Sequence, residues 1–272
     1  MQSAASQIRI VFTDVDGTLV NSEHHPIPAS ARTIARVAAM MPFCLVSARS
    51  PEGLYTIQRQ LGFTGPLACF SGAYVLDEEG NELYSSVISF EDAREIKRYL
   101  DRELPNLVSA TYGFHDWIVD DRSDPRVVRE EYYVQAKSRE SHDLEGTFGE
   151  RGVHKFLLMG DPASIVSAQR VLAERYPNLN VVRSNDILCE VMSGEASKSH
   201  AIEVLCKHYG VNRSQAIAFG DGPNDIDMLV AVDNSYAMAN GEAMVKEAAT
   251  DVLPWTNEEC GVARKLAELL GL

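Results

Sequence analysis

At 272 residues with 45% apolar side chains, the chain is long enough for one large or two modest domains with real hydrophobic cores. A formal net charge of −14 argues against a general nucleic-acid or anionic-membrane binder, because no basic field exists to gather phosphates. A small phosphorylated ligand stays admissible if a metal ion and a local lysine offset the repulsion. Cys44, Cys69, Cys189, Cys206 and Cys260 are odd in number and scattered, with no C-x-x-C pair. They read as reduced thiols of a cytoplasmic protein. Residues 1–7 are small and polar without a leader's apolar segment, and no apolar run approaches membrane-spanning length.

Ile8–Phe12 is an apolar run that predicts a buried parallel strand, and it ends in Asp14-Val15-Asp16-Gly17-Thr18-Leu19. A polar loop with two prolines, 21–28, leads to a helix over 29–41. Phe43–Val46 is a second strand that runs into Ser47-Ala48-Arg49. Ser50-Pro51 starts a helix reaching about Leu61, as an N-cap followed by a first-turn proline. Leu67–Phe70 is a third strand, and a hairpin is expected over 74–84. This β-α-β-α-β rhythm is a doubly wound start.

From about Ser85 the texture changes. A charged amphipathic helix spans 90–104, short strands 108–112 and 117–119, and an acidic turn 120–124. Residues 130–152 are polar and poorly periodic. A strand at 155–159, a helix at 162–176 and two strands near 181–182 and 188–192 complete what reads as an inserted α+β layer. The α/β rhythm then returns with helix 198–209 and strand 216–219, which ends in Gly220-Asp221-Gly222. Helices are expected over 224–232, 241–248 and 261–270, the last preceded by the capping-box pattern Thr256-x-x-Glu259.

If the strands ending at Asp14, Ser47 and Asp221 lie side by side, those groups and Lys198 converge on one sheet edge, where open α/β sheets bind ligands. Two carboxylates so close repel unless a cation sits between them. A hard cation wants such oxygens, and a phosphate wants hydroxyl and backbone N–H donors with a balancing ammonium. A carboxylate can attack phosphorus, while a second carries the proton.

The motif D-x-D-G-T-L at 14–19, Ser47 after the second strand, Lys198, and Gly220-Asp221-Gly222-Pro223-Asn224-Asp225 together resemble the four motifs of the haloacid dehalogenase (HAD) superfamily. The resemblance runs nearly the full length and is strongest to the Cof-type phosphatase branch with its α/β (C2B-type) cap. It implies an α/β fold: a Rossmann-like, doubly wound parallel-sheet core at 1–84 and 191–272, and an inserted α+β cap at 85–190. It implies a phosphoric monoester hydrolase acting on a small phosphorylated metabolite such as a sugar phosphate, as a monomer or small homo-oligomer. In that family pattern Asp14 is the nucleophile and Asp16 the general acid and base. Asp14, Asp221 and the Asp16 backbone carbonyl hold Mg²⁺, with Asp225 behind them. Ser47, the N–H groups of Val15 and Ala48, Lys198 and Asn224 hold the phosphate.

The sequence departs from the family pattern where Ser47-Ala48-Arg49 replaces T-G-R, Ser71-Gly72-Ala73 replaces N-G-A, and Ser199 follows the lysine in place of glycine. Arg49 reads as a structural or salt-bridging residue, and His24-His25 as an exposed pair in a proline-bounded loop. Two other functions fit the pattern less well. A phosphosugar mutase would need Arg126, Arg129, Arg139 or Arg183 for a second phosphate. A non-catalytic phosphosugar sensor has no use for the nucleophile.

Overall fold

The computed structural model describes residues 8–272; the polar segment 1–7 lies outside the described residues. The chain forms β1 (Ile10–Thr13), α1 (Pro28–Ala38), β2 (Phe43–Val46), α2 (Pro51–Leu61), β3 (Leu67–Cys69), β4 (Tyr74–Leu76) and β5 (Glu82–Ser85). Next come α3 (Phe90–Glu103), β6 (Val108–Gly113), β7 (Asp116–Val119), α4 (Pro125–Val134), β8 (Arg139–Glu140) and α5 (Leu144–Phe148). Beyond these lie β9 (Lys155–Met159), α6 (Pro162–Arg175), β10 (Leu179–Asn185) and β11 (Leu188–Ser193). The final stretch holds α7 (Lys198–Tyr209), β12 (Ala216–Gly220), α8 (Ile226–Val230), β13 (Asn234–Ala237), α9 (Ala243–Ala248), β14 (Asp251–Val252) and α10 (Gly261–Leu270).

Contacts divide the chain into two compact units. One comprises the chain up to Arg49, Gly53–Tyr84 and Ser197–Leu272; the other comprises Ser50–Glu52 and Ser85–Ala196. The expected return to the first unit at 191 falls inside β11. Pairing of β11 with both β9 and β10 keeps that strand in the smaller sheet, so the return comes at Ser197.

The first unit is an eight-stranded sheet in the order β14-β13-β12-β1-β2-β3-β4-β5. Pairing is parallel from β14 to β3 and antiparallel between β3 and β4. Ile10 and Phe12 of β1 point into a cluster with Ala201, Leu205, Met228 and Leu229. Val11, on the opposite face, is equally buried. Both faces are therefore covered, which is why β1 and β2 read as continuous apolar runs without alternation. The chain builds outward from β1 to β5 on one side and later from β12 to β14 on the other. The strand order thus reverses beside β1, and ligands of such sheets bind beyond the carboxyl ends of the strands at that point.

The second unit is a six-stranded sheet in the order β10-β11-β9-β6-β7-β8. It is antiparallel except for β7 with β8. Ile118, Phe156, Leu158, Cys189 and Val191 turn one sheet face onto Ile96 and Leu100 of α3 and Ile165 and Leu172 of α6. By strand alternation, Tyr112, Trp117, Lys155 and Glu190 share the other face. There the Tyr112 and Trp117 rings stack at 4.9 Å, and the Lys155 ammonium lies 5.0 Å from the Tyr112 ring.

The stretch expected to be irregular over 130–152 contains the second half of α4, together with β8 and α5. Asp124 caps α4 by accepting the Arg126 N–H at 2.8 Å, with Pro125 in the first turn. Buried Glu131 then organises the turn between α4 and β8, accepting from Lys137 Nζ at 2.8 Å and from the Ser138 N–H and hydroxyl at 2.9 and 2.7 Å. Burial pushes its carboxyl up, but these donors hold it down at about 2. Near the carboxyl end, the Thr256 N–H and hydroxyl both donate to Glu259 at 3.0 Å, so the predicted capping box forms. No helix among the described residues is long and apolar enough to cross a membrane.

Candidate active site

The groups that end β1, β2 and β12 meet around one ammonium. Lys198, at the start of α7, is 1% exposed and donates to Asp14 Oδ1 at 2.7 Å, Asp225 Oδ1 at 2.6 Å and the Val46 carbonyl at 3.3 Å. Ser197 caps α7 by accepting the His200 N–H, which fixes where the lysine leaves the helix. Asp225 spends its other oxygen on the N–H groups of Asp221 and Gly222, both at 2.9 Å. That carboxylate therefore shapes the turn that carries Asp221.

Asp221 is held from the first motif. Thr18 Oγ1 donates to its Oδ1 at 2.8 Å. Asn240 Nδ2 donates to the Gly17 carbonyl at 2.7 Å and lies 3.5 Å from Asp221 Oδ2. Gly17 sits at φ +81°, and a Cβ there would stand 2.3 Å from Asp221 Oδ2. The motif thus needs glycine both for backbone conformation and for the close approach of the acid.

Asp14, Asp221 and Asp225 each present a carboxylate oxygen, and these oxygens lie within 4.8 Å of one another. Three acids share one lysine. Burial and the neighbouring acids Asp225 and Asp221 push the Asp14 carboxyl well above the usual range, against the pull of Lys198. Burial and Asp225 likewise push Asp221 up to about 6. Burial alone would lower the Lys198 ammonium, but Asp14 and Asp225 raise it above an ordinary lysine. The cluster therefore has hard oxygen donors and a shortage of positive charge, a donor set that fits a divalent cation such as Mg²⁺.

Asp16 turns to different partners. Arg49 Nε donates to its Oδ2 at 2.9 Å and Arg49 Nη2 to its Oδ1 at 2.6 Å, while His24 Nδ1 lies 2.7 Å from Oδ1. Burial pushes this carboxyl up, yet His24 and Arg49 hold it well below the usual carboxylate range.

Of the remaining predicted groups, Ser47, 2% exposed, accepts the Arg49 N–H at 3.2 Å through its hydroxyl. Val15 is buried, and its carbonyl accepts the N–H groups of Thr18, Leu19 and Val20, winding the loop after β1. Ala48 is half-buried in the turn after β2, and Asn224 is exposed on the turn before α8. Phe70 and Ser71 hold left-handed conformations at φ +49° and +56°, and their N–H groups donate to the carbonyls of Arg49 and Ser47. The third-strand motif thus braces the second.

Sequence reasoning missed His24 as a partner of Asp16, taking it for an exposed loop residue. It also gave no role to Thr18, Asn240 or Asn257, the last of which donates its side-chain amide to the Val20 carbonyl and its backbone N–H to Asn240 Oδ1. The available signal was proximity of His24 to the first motif; nothing in the spacing singled out Asn240.

Comparison with known proteins agrees with this architecture. The family described as haloacid dehalogenase-like hydrolase matches residues 11–266. A Haemophilus influenzae protein named "Putative phosphatase" is 34% identical over 261 residues, 96% of this chain and 97% of its own. A Bacillus subtilis protein named 5-amino-6-(5-phospho-D-ribitylamino)uracil phosphatase is 25% identical, with 97% of this chain and 98% of that one covered. The crystal structure of a haloacid dehalogenase-like hydrolase from Bacteroides thetaiotaomicron superposes with a TM-score of 0.88 at 26% identity. It covers 96% of this chain and 99% of its own. The chain therefore belongs to the haloacid dehalogenase-like hydrolases, in their Cof-type phosphatase branch, and is a phosphatase enzyme.

Proposed function

We propose that the protein hydrolyses a small phosphomonoester, such as a sugar phosphate, through an aspartyl-phosphate on Asp14 with Mg²⁺ as cofactor. The observation that carries this reading is the pair of contacts from buried Lys198 to Asp14 and Asp225, set beside Asp221. An Asp14 oxygen attacks phosphorus as the bond to the leaving oxygen breaks, and that oxygen takes a proton from Asp16. The negative charge of an incoming phosphate dianion raises Asp16 against the pull of Arg49 and favours its protonation. Asp16 then takes a proton from water as the water oxygen attacks phosphorus. Phosphate leaves, and Asp14 is restored. Lys198 pulls Asp14 towards its ionised form and balances charge on the transferring group. Asp14, Asp221 and the Asp16 carbonyl would hold Mg²⁺, which when bound neutralises developing charge on phosphate oxygens. The hydroxyl of Ser47 and the N–H groups of Val15 and Ala48, with Asn224, form the phosphate cradle in this reading. The unit at 85–196 serves as the cap whose side chains choose the substrate, and the enzyme works in the cytoplasm.

The mutase reading has less support. Its arginine Arg126 already forks Asp124 at 2.9 and 2.7 Å and donates to the Asn106 carbonyl. A phosphate-release screen over sugar phosphates, nucleotides and cofactor phosphates tests the proposal. Release should require Mg²⁺ and should fall at least ~10³-fold in Asp14→Asn. Turnover that persists in chelator would reject the metal, and wild-type turnover in Asp14→Asn would reject the nucleophile.

A further inference from the structure

We infer that His24 and Arg49 are positioning residues that aim the Asp16 carboxyl at the leaving group. The inference rests on the proposed phosphatase reaction and extends it to two residues outside the acid–lysine cluster.

The loop that carries His24 is built to present it. Val20 and Pro26 close its base as an antiparallel bridge, and the Asn21 N–H donates to the His25 carbonyl at 2.9 Å. Asn21 Oδ1 accepts the N–H groups of Glu23 and His25 at 3.1 and 2.9 Å. Ser22 is tied to Glu258 through both its N–H and its hydroxyl, at 2.6 and 2.5 Å. Within this frame His24 takes φ +63°, a conformation that a non-glycine residue adopts at a cost. Here it directs Nδ1 to 2.7 Å from Asp16, and the carboxylate accepts its proton.

Arg49 reaches the same carboxylate from the turn after β2. Its residue is 5% exposed, and its guanidinium meets both Asp16 oxygens as a fork. Its backbone joins the turn of Ser47: the Arg49 N–H donates to Ser47 Oγ and its carbonyl accepts from Phe70. One turn therefore sets both a phosphate-cradle hydroxyl and the carrier of the proton. The Asp16 side chain is itself 38% exposed. Three charge-assisted hydrogen bonds from two loops hold it to one orientation. Proton transfer needs a donor–acceptor separation of about 2.6–3.2 Å, so a carboxyl free to turn loses much of its value as a proton carrier.

The test separates aiming from folding through the leaving group. A good leaving group departs with little help from an acid, whereas a poor one depends on it. The probes are p-nitrophenyl phosphate and phenyl phosphate, similar in size and different in leaving-group basicity, used with the full chain and Mg²⁺. His24→Gly keeps the left-handed backbone and removes the imidazole. It should lower kcat/KM, which reports the leaving-group step and not the common hydrolysis of the aspartyl-phosphate, by about tenfold or more on phenyl phosphate and by under about threefold on p-nitrophenyl phosphate. His24→Asn, which tolerates the same φ and keeps a short N–H donor, should recover most of the loss. Arg49→Lys keeps the charge, loses the fork, and should show the same selectivity for the poorer leaving group. Equal losses on the two esters, or no loss on either, would overturn the inference while Asp14→Asn still abolishes turnover. If Asp14→Asn releases phosphate as well as the wild type, or neither releases any, the phosphatase reading falls and this inference with it.

Discussion

Lys198 is a buried ammonium whose counter-charges all lie in the candidate site, so its loss strands two buried acids. Lys198→Met should abolish turnover and lower stability by about 3–5 kcal/mol, read by urea unfolding; retained stability would mean water already reaches the cluster. A second residue sets acid sensitivity. His154 is fully buried, accepts the Phe114 N–H on Nδ1 at 3.0 Å, and lies 3.0 Å from the Ser85 hydroxyl through Nε2. Burial, with Arg151 nearby, pushes its imidazole down from 6.5 to about 3. Between those values the unfolded chain binds the proton and the folded chain does not, so stability falls as pH drops from about 6.5 towards 3. His154→Asn supplies an acceptor that does not titrate. Its unfolding midpoint should vary less between pH 7 and 4.5 than the wild type's, by about 2 kcal/mol. At this scale the sequence was legible where strand ends carry acids: Asp14, Asp221 and Asp225 gather beside Lys198, whereas Asp16 turns to other partners. His24 and Arg49 were not legible as a pair on Asp16, because a contact across eight or 33 positions depends on how two loops turn.

Among the elements, the apolar strands β1, β2, β3 and β12 were legible because burial on both faces leaves continuous hydrophobic runs. Helix α4, strand β8 and the short β14 were not. They are held by polar anchors such as Glu131 or by two-residue edge pairing, which leave no periodic pattern. The loop after β1 carries the sharpest element-level prediction. Gly17→Ala adds a methyl that meets the Asp221 carboxylate and forces a left-handed alanine. It should cost about 1–2 kcal/mol in thermal stability and at least tenfold in turnover, with weaker Mg²⁺ binding. An alanine variant with unchanged Mg²⁺ titration would show that the turn relaxes without moving Asp221.

For the whole molecule, the crowded acids couple function to stability. Burial and Asp225 oppose the charge of Asp221 and push its carboxyl up to about 6. Its folded pKa lies above the unfolded value of 3.8, so this group favours the fold at low pH and loses that contribution as pH rises through about 6. Asp221→Asn should therefore stabilise the metal-free protein above that pH, by about 1–3 kcal/mol, while abolishing turnover. Millimolar Mg²⁺ should raise the wild-type Tm and leave the variant's unmoved; calorimetry at pH 7.5 reads both. The connectivity has a further consequence for synthesis. Asp14 and the lysine that compensates it are 184 positions apart, and β1 pairs through Val11 with Ile217. Every strand of the smaller sheet lies between Val108 and Ser193. On the ribosome that sheet is complete before β12 emerges, while β1 waits with one edge unpaired and its acid uncompensated. A chain truncated after residue 197 should therefore carry a protease-resistant insertion and an open first half.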